Sequence, residues 1–222
     1  MLDDYRAIVP DYVRDDSNVI DSTDSDQAIL AAVGELDSVS PNDVFVELTE
    51  ASATKNFSLP GDWVSGFSRI SQVEYPTAQV PPVLLSADDF MTWQTPSGDS
   101  LILSSEIPAS EPIWIKYSRK YILTEVADDI PERFRQPVSL FAASLLCDQM
   151  AAFYAGESDS NFTADVASFG SKSQEFRTLA NKYRTKFYSF FGAATPKATT
   201  GPSAASKIIT LSPISGITRF SH

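Results

Sequence analysis

The chain of 222 residues has only one histidine and one cysteine, and this scarcity excludes several classes of protein. The histidine is the last residue, His222, and Cys147 lies in an apolar stretch. A Ser–His–Asp triad needs an imidazole held in a pocket, and structural zinc needs about four Cys or His ligands. Triads, metal centres, haem and disulfide frameworks are therefore not expected, and no cofactor is predicted. Carboxylate chemistry remains open, because 29 residues are acidic.

Glycine-rich motifs and long apolar runs are also missing. The nine glycines form no G-x-G pattern and no G-K-[ST] motif, which argues against a phosphate-binding loop. No apolar run approaches about 20 residues, the length that spans a membrane. The acidic start, MLDDYRAIVPDYVRDD, lacks the apolar region of a secretory signal. We therefore expect a protein made and kept in a reducing cytoplasm, with no membrane partner.

Charge is abundant but unevenly distributed. The formal net charge is −12, which argues against nucleic-acid binding by the whole surface. Residues 1–50 carry a net −11 and residues 51–191 a net −4, whereas residues 192–222 carry Lys197, Lys207 and Arg219 and no acid. An acidic head and a basic tail indicate separate partners, or head-to-tail contact between neighbouring subunits.

The N-terminal 42 residues are predicted to form an acidic arm and one helix. Residues 1–22 carry six aspartates and Pro10 with no clear period, which favours an extended, partly mobile arm. Residues 25–37 place apolar side chains at helical spacing and predict the first helix. Those side chains belong to Ile29, Leu30, Val33 and Leu36.

Residues 43–125 are predicted to form a β domain. Short apolar runs alternate there with turns that contain proline or glycine. The runs predict strands at residues 43–49, 67–74, 82–85, 90–93, 101–103 and 113–117, with a hairpin turn at 96–99. Strands of this length and spacing fit a small antiparallel sandwich or barrel.

Residues 126–192 have the pattern of an antiparallel helical hairpin. Apolar residues recur at three and four over residues 131–155 and again over 171–191. Pro137 lies close to the start of the first helix, and Gly156 is predicted to end it. The second helix is rich in cations, which either form a solvated face, contact phosphate or an acidic partner, or pair with acidic groups of a neighbouring subunit. The possible inter-subunit contacts are Arg177, Lys182, Arg184 and Lys186.

Residues 193–222 are predicted to be a linker and a tail. Residues 193–206 are rich in Ala, Thr, Pro, Ser and Gly, which is linker composition. Residues 207–220 are apolar, β-prone and interrupted by proline. Such a segment either docks on another protein as a strand or folds back on the chain's own sheet. The fold class expected for the whole chain is thus α+β, with a helical hairpin, an N-terminal helix, an inserted β domain and an extended C-terminal tail.

Two further groups of residues have a possible chemistry. Paired carboxylates can hydrolyse glycosides, and four acids lie in or beside predicted strands: Glu47, Glu50, Glu106 and Glu111. With 29 acids in the chain such candidates occur by chance, and exposed strand faces explain most of them. The three tryptophans, Trp63, Trp93 and Trp114, either line a sugar-binding groove or fill the core of the sandwich. Residues 157–165 alternate acids as a calcium loop does, but they lack its glycine and its closing glutamate.

Several strings in residues 60–191 together resemble a known class of protein. They are VEYP at residues 73–76, the prolines 81 and 82, the hairpin at Gly98, IWIKYS at 113–118, DDIP at 128–131, AASLLCDQMAAFY at 142–154 and FRTLANKYR at 176–184. This arrangement resembles the head-to-tail connector, or adaptor, proteins of the neck of tailed bacteriophages.

The resemblance implies a non-enzymatic structural subunit. It implies a homo-oligomeric ring, usually of twelve subunits, between the portal protein and a downstream tail or neck protein. Genomic DNA would pass through the ring without sequence-specific binding, and an acidic lumen would repel its phosphates. The place of action would be the virion neck, assembled in the host bacterial cytoplasm. The tail would then dock on the portal, with the anchors Ile208, Ile209, Leu211, Ile214, Ile217 and Phe220.

Two other functions stay open from the sequence. A β-sandwich carbohydrate-binding or fibre-attachment module would use the tryptophans. A carboxylate-only glycoside hydrolase would need two acids about 5–10 Å apart in a cleft.

Overall fold

The computed structural model describes residues 1–15, 19–96, 98–158 and 166–193, and in these ranges the chain is an α+β protein of four helices and six strands. The elements, in chain order, are α1 (Leu2–Val13), α2 (Ser22–Val39), β1 (Asn42–Leu48), β2 (Thr54–Ser58), β3 (Ile70–Glu74), β4 (Phe90–Thr95), β5 (Gly98–Ile107), β6 (Ile113–Arg119), α3 (Glu132–Ser158) and α4 (Val166–Phe190). The predicted fold class is therefore confirmed, and the predicted docking tail lies outside the described residues.

The strands form a sandwich of two three-stranded antiparallel sheets, in the orders β1-β6-β3 and β2-β5-β4. Residues along β1 alternate between exposed and partly buried, so Val44, Val46 and Leu48 face a core that also contains Ile115. Of the two predicted alternatives, sandwich and barrel, the sandwich is thus correct.

Two details of the β domain differ from prediction. β2 was not predicted, because its sequence TKNFS has a single apolar residue, Phe57. Residues 82–85 were predicted to be a strand, but they make only the isolated bridge of Leu84 to Glu74. Pro81 and Pro82 lack the N–H groups that a longer ladder needs.

The helices α3 and α4 form the predicted antiparallel hairpin. Phe141 of α3 packs on Phe187 of α4 with ring centroids 4.8 Å apart, and Tyr154 stacks on Phe176 at 5.7 Å. The predicted stop at Gly156 is wrong, since α3 continues to Ser158. By length and hydropathy, the segment from Glu132 to Gly156 could cross a membrane, but 67% of its most apolar window is buried inside this fold. Burial of this kind is typical of a core helix.

The N-terminal segment is a helix, so the predicted extended arm is wrong. Leu2, Tyr5, Val9 and Val13 are buried at spacings of three and four, on one face of α1. The aspartates between them hid this period, although Asp3 and Asp4 stabilise the positive end of the helix dipole. α1 therefore adds its buried face to the core of the helical bundle.

The helical bundle and the sandwich have separate hydrophobic cores, and a polar junction joins the two. At the end of β6, the Arg119 guanidinium contacts Asp62 at 2.9 Å and Asp129 at 2.7 Å. Asn42 also donates to Asp129, at 3.1 Å. Asp37 of α2, 6% exposed, accepts a hydrogen bond from the backbone N–H of Tyr121. These contacts tie the ends of β1 and β6 to the segments that lead into the helices.

Candidate assembly surfaces

The four cations predicted to meet a neighbouring subunit all lie on α4, but they do not share one face. At about 100° per residue, Lys182 and Lys186 lie about 40° apart, and Arg177 and Arg184 about 20° apart. The two pairs point in nearly opposite directions across the helix. α4 therefore presents two small basic flanks rather than one basic stripe.

Arg184 already has a partner within the chain. Its guanidinium contacts the carboxylate of Asp148 on α3, so this ion pair bridges the helical hairpin. Arg177, Lys182 and Lys186 are exposed. Contact with a neighbouring subunit stays a prediction for all four residues, and the structure leaves the three exposed cations most accessible.

A groove opens where the end of α1 meets α4. It has a volume of about 680 Å³, and its walls include Val13, Phe176 and Leu179. Arg14, Lys182 and Glu175 also line it, so the groove combines apolar side chains with charges of both signs. Sequence reasoning missed it, because α1 was not predicted to be a helix.

The outer surface of the β1-β6-β3 sheet carries a second candidate surface, here named the Trp114 face, which consists of Phe45, Glu47, Glu74, Trp114 and Lys116. In the strand register, Trp114 lies opposite Glu47 on one side and Glu74 on the other. The Trp114 indole N–H donates to Glu47 at 3.0 Å. Phe45 is 68% exposed, with the Lys116 ammonium 5.8 Å from its ring centre.

The outer surface of the other sheet carries exposed apolar side chains on β4. Met91 and Trp93 of β4 are 54% and 55% exposed. Met91 lies opposite Ile102 in the ladder, and Trp93 opposite Ser100. Of the three tryptophans, only Trp63 packs against the sandwich core, where its indole donates to Asp99 at 2.8 Å.

The candidate hydrolytic carboxylates have separate partners. Glu50 accepts a hydrogen bond from the backbone of Ser58, and Glu111 accepts one of 2.6 Å from the hydroxyl of Tyr75, which raises the pKa of that tyrosine. Glu106 is exposed on β5. Across the described ranges, three or more His, Cys, Asp or Glu side chains nowhere gather in a group that could hold a metal ion.

Burial raises the pKa of the Cys147 thiol to about 12. Its side chain is fully buried in the helical core. The thiolate form needed for nucleophilic attack is therefore strongly disfavoured at neutral pH.

Comparison with known proteins adds no assignment. No family model matches the chain, and no curated protein matches it significantly.

Proposed function

We propose that the chain is a structural adaptor of a tailed bacteriophage, which forms a ring between the portal and the tail and extends the DNA channel. The ring would have about twelve subunits and would contact the portal on one side and a downstream neck or tail protein on the other. The proposal starts from the resemblance in residues 60–191. It is supported by the way in which the molecule distributes its surfaces.

The observation that carries the proposal is the presence of several separate exposed surfaces on one small chain. Exposed large apolar side chains lie on the Trp114 face, on the outer surface of β4 and in the segment from Val80 to Leu84. A further apolar site, Val126 at 83% exposure, lies near the junction. A ring subunit between two other rings needs such a set, because each subunit meets two identical neighbours and two different partners.

The charge distribution supports an adaptor through which DNA slides. The described helices α1 and α2 carry most of the acids of residues 1–50, and their cations are few. An acidic wall repels phosphate and leaves the genome mobile. The proposal therefore places α1 and α2 nearer to the channel than the basic flanks of α4.

Electron microscopy and native mass spectrometry of the full chain, alone and mixed with a portal protein from the same genome, test the proposal. We expect closed rings on the portal, and we expect a chain cut after residue 200 to fold but to lose portal binding. Absence of rings in both samples, or undiminished portal binding by the shortened chain, would contradict the proposal.

A carbohydrate-binding or fibre-attachment module is a second candidate, and the exposure of Trp93 favours it. The ring stands on an open sheet surface beside the hydroxyl-bearing residues Ser58 and Ser100, a composition that suits a sugar platform. Glycan-array binding that is lost in Trp93→Ala and retained in Phe45→Ala would favour this function over the adaptor.

A further inference from the structure

The Trp114 face presents two carboxylates on either side of an aromatic ring. The register Glu47–Trp114–Glu74 sets these side chains in one row across three adjacent strands. Such side chains are about 5 Å from their neighbours, because that is the spacing of paired strands. The row borders an open pocket whose wall also includes Phe45.

Both carboxylates lack an opposite charge. Within the described part of the chain, neither Glu47 nor Glu74 has a cation within ion-pair distance. Glu47 accepts the Trp114 indole N–H, and Glu74 accepts the backbone N–H of Ala78 at 3.0 Å. The nearest cation on this sheet, Lys116, is paired with Asp43 at 3.0 Å. The surface is thus acidic and aromatic at once, and it fits a segment that is cationic and apolar.

The segment from Lys207 to Phe220 has that composition. Residues 207–220 carry Lys207 and Arg219, no acid and six large apolar side chains. The positive charges would meet the two glutamates, and the apolar side chains would cover Phe45 and Trp114. The outer surface of β4 is equally apolar but offers no carboxylate row, so charge complementarity selects the Trp114 face.

The connecting segment is long enough to reach this face within one chain. Directly after α4, Phe191 packs on Phe134, and Phe134 contacts Tyr121 just beyond β6. From Tyr121 back to Trp114 is seven residues, about 24 Å of extended strand. Residues 194–206 can span up to about 45 Å when extended. A short tether gives an effective concentration in the millimolar range, which favours the tail of the same chain over that of another copy.

We propose that, before assembly, residues 207–220 lie on the Trp114 face of their own subunit. This contact shields the tail from water and from premature association. During assembly, the portal offers a competing binding surface, and the tail leaves the Trp114 face to bind there. The release step rests on the proposed adaptor function, whereas the contact itself does not.

Disulfide trapping in the full chain tests the contact. Phe45→Cys is combined in turn with Thr210→Cys, Ser212→Cys and Ser215→Cys, which leave the apolar anchors in place, and oxidised with glutathione disulfide. Cys147 does not interfere, because its side chain is fully buried. We expect at least one pair to form an intramolecular disulfide in dilute protein. The matched control is Met91→Cys, which is 54% exposed against 68% for Phe45 and lies on the other sheet, with the same three tail variants.

Reversing the charge of the two glutamates tests whether they attract the tail. Adding Glu47→Lys and Glu74→Lys to the trapped pair should lower the yield of the disulfide at least fivefold, whereas Glu106→Lys should leave it unchanged. The proposal is overturned if Met91→Cys traps as well as Phe45→Cys, if the disulfides are intermolecular, or if the charge reversal has no effect. Circular dichroism checks that each variant is folded.

Portal binding separates this inference from the proposed function. The oxidised Phe45→Cys/Ser212→Cys protein should fail to bind portal and should regain binding on reduction, because Ser212 is not one of the proposed portal anchors. If the disulfide forms but the oxidised protein binds portal undiminished, the contact stands and docking of the tail on portal is wrong. If no pair traps but the unmodified chain forms rings on portal, the contact is wrong and the adaptor function stands.

Discussion

Arg119 offers the sharpest test of how the sandwich and the bundle are held together. Its guanidinium bridges Asp62 and Asp129, and its side chain is 21% exposed, against 39% and 26% for the two carboxylates. The perturbation is Arg119→Met, which keeps much of the apolar stem and removes both charge-assisted hydrogen bonds.

The magnitude follows from the exposure of each pair. A hydrogen bond to a charged group contributes about 1.5–3 kcal/mol when shielded. An exposed ion pair contributes about 0–1 kcal/mol. The contact to Asp62 is the more exposed of the two, so its contribution is closer to that of an exposed ion pair. The contact to Asp129 is better shielded, so its contribution is closer to that of a shielded charged hydrogen bond. We therefore expect Arg119→Met to lower the free energy of unfolding by about 2–3 kcal/mol.

Lys116→Met is the matched control. It removes an ion pair to Asp43 on the open face of the same sheet, where the two side chains are 29% and 46% exposed. This change should cost less than about 1 kcal/mol, because solvent screens an isolated surface pair.

The assay is urea unfolding, monitored by two spectroscopic probes. All three tryptophans lie in the β domain, so their fluorescence reports the sandwich, whereas circular dichroism at the helix band reports the bundle. The two transitions of Arg119→Met should move apart, since the bridge that couples the two cores is gone. If the free energies of unfolding of Arg119→Met and Lys116→Met agree within about 0.5 kcal/mol, the reasoning is refuted.

Two further predictions follow from the buried groups. Burial raises the pKa of Asp37, and the hydrogen bond from the Tyr121 N–H only partly offsets this. The charged form is thus penalised in the folded state, and the penalty grows as the pH rises above the unfolded pKa of about 3.9. Asp37→Asn keeps an acceptor oxygen and should be more stable than the unmodified chain at pH 7. In urea titrations this difference in the free energy of unfolding should shrink toward pH 4. A difference that stays constant with pH would contradict a raised pKa for Asp37. Phe187→Ala empties the centre of the helical core and should cost about 3–5 kcal/mol by the same measurement, whereas Phe190→Ala, 52% exposed, should cost far less.

Much of the fold was predictable because single elements record their environment locally. Val44, Val46 and Leu48 alternate along β1, and alternation identifies a half-buried strand without knowledge of its partner. The recurrence of Phe176, Tyr183 and Phe187 likewise identified α4. α1 escaped detection since its aspartates obscured the apolar period, and β2 because it has one apolar residue.

The candidate surfaces were less predictable than the elements, since they depend on which strands become neighbours. Alternation shows that Phe45 and Val46 face opposite ways, but not that Trp114 lies between two glutamates. That row depends on the pairing of β6 with β1 and β3, which lie about 70 and 40 residues away along the chain.

By itself, the amino-acid sequence determined the α+β class, the helical hairpin, most of the strands and the scarcity of His and Cys. These properties depend on residue type and local period, which the chain carries before it folds. Only the tertiary structure decided that Arg184 is held by Asp148, that Arg119 bridges the two cores, and that Glu47 and Glu74 of the Trp114 face have no ion-pair partner among the described residues. Charge pairing requires distances of a few ångströms between residues far apart in sequence, and only folding brings such residues together.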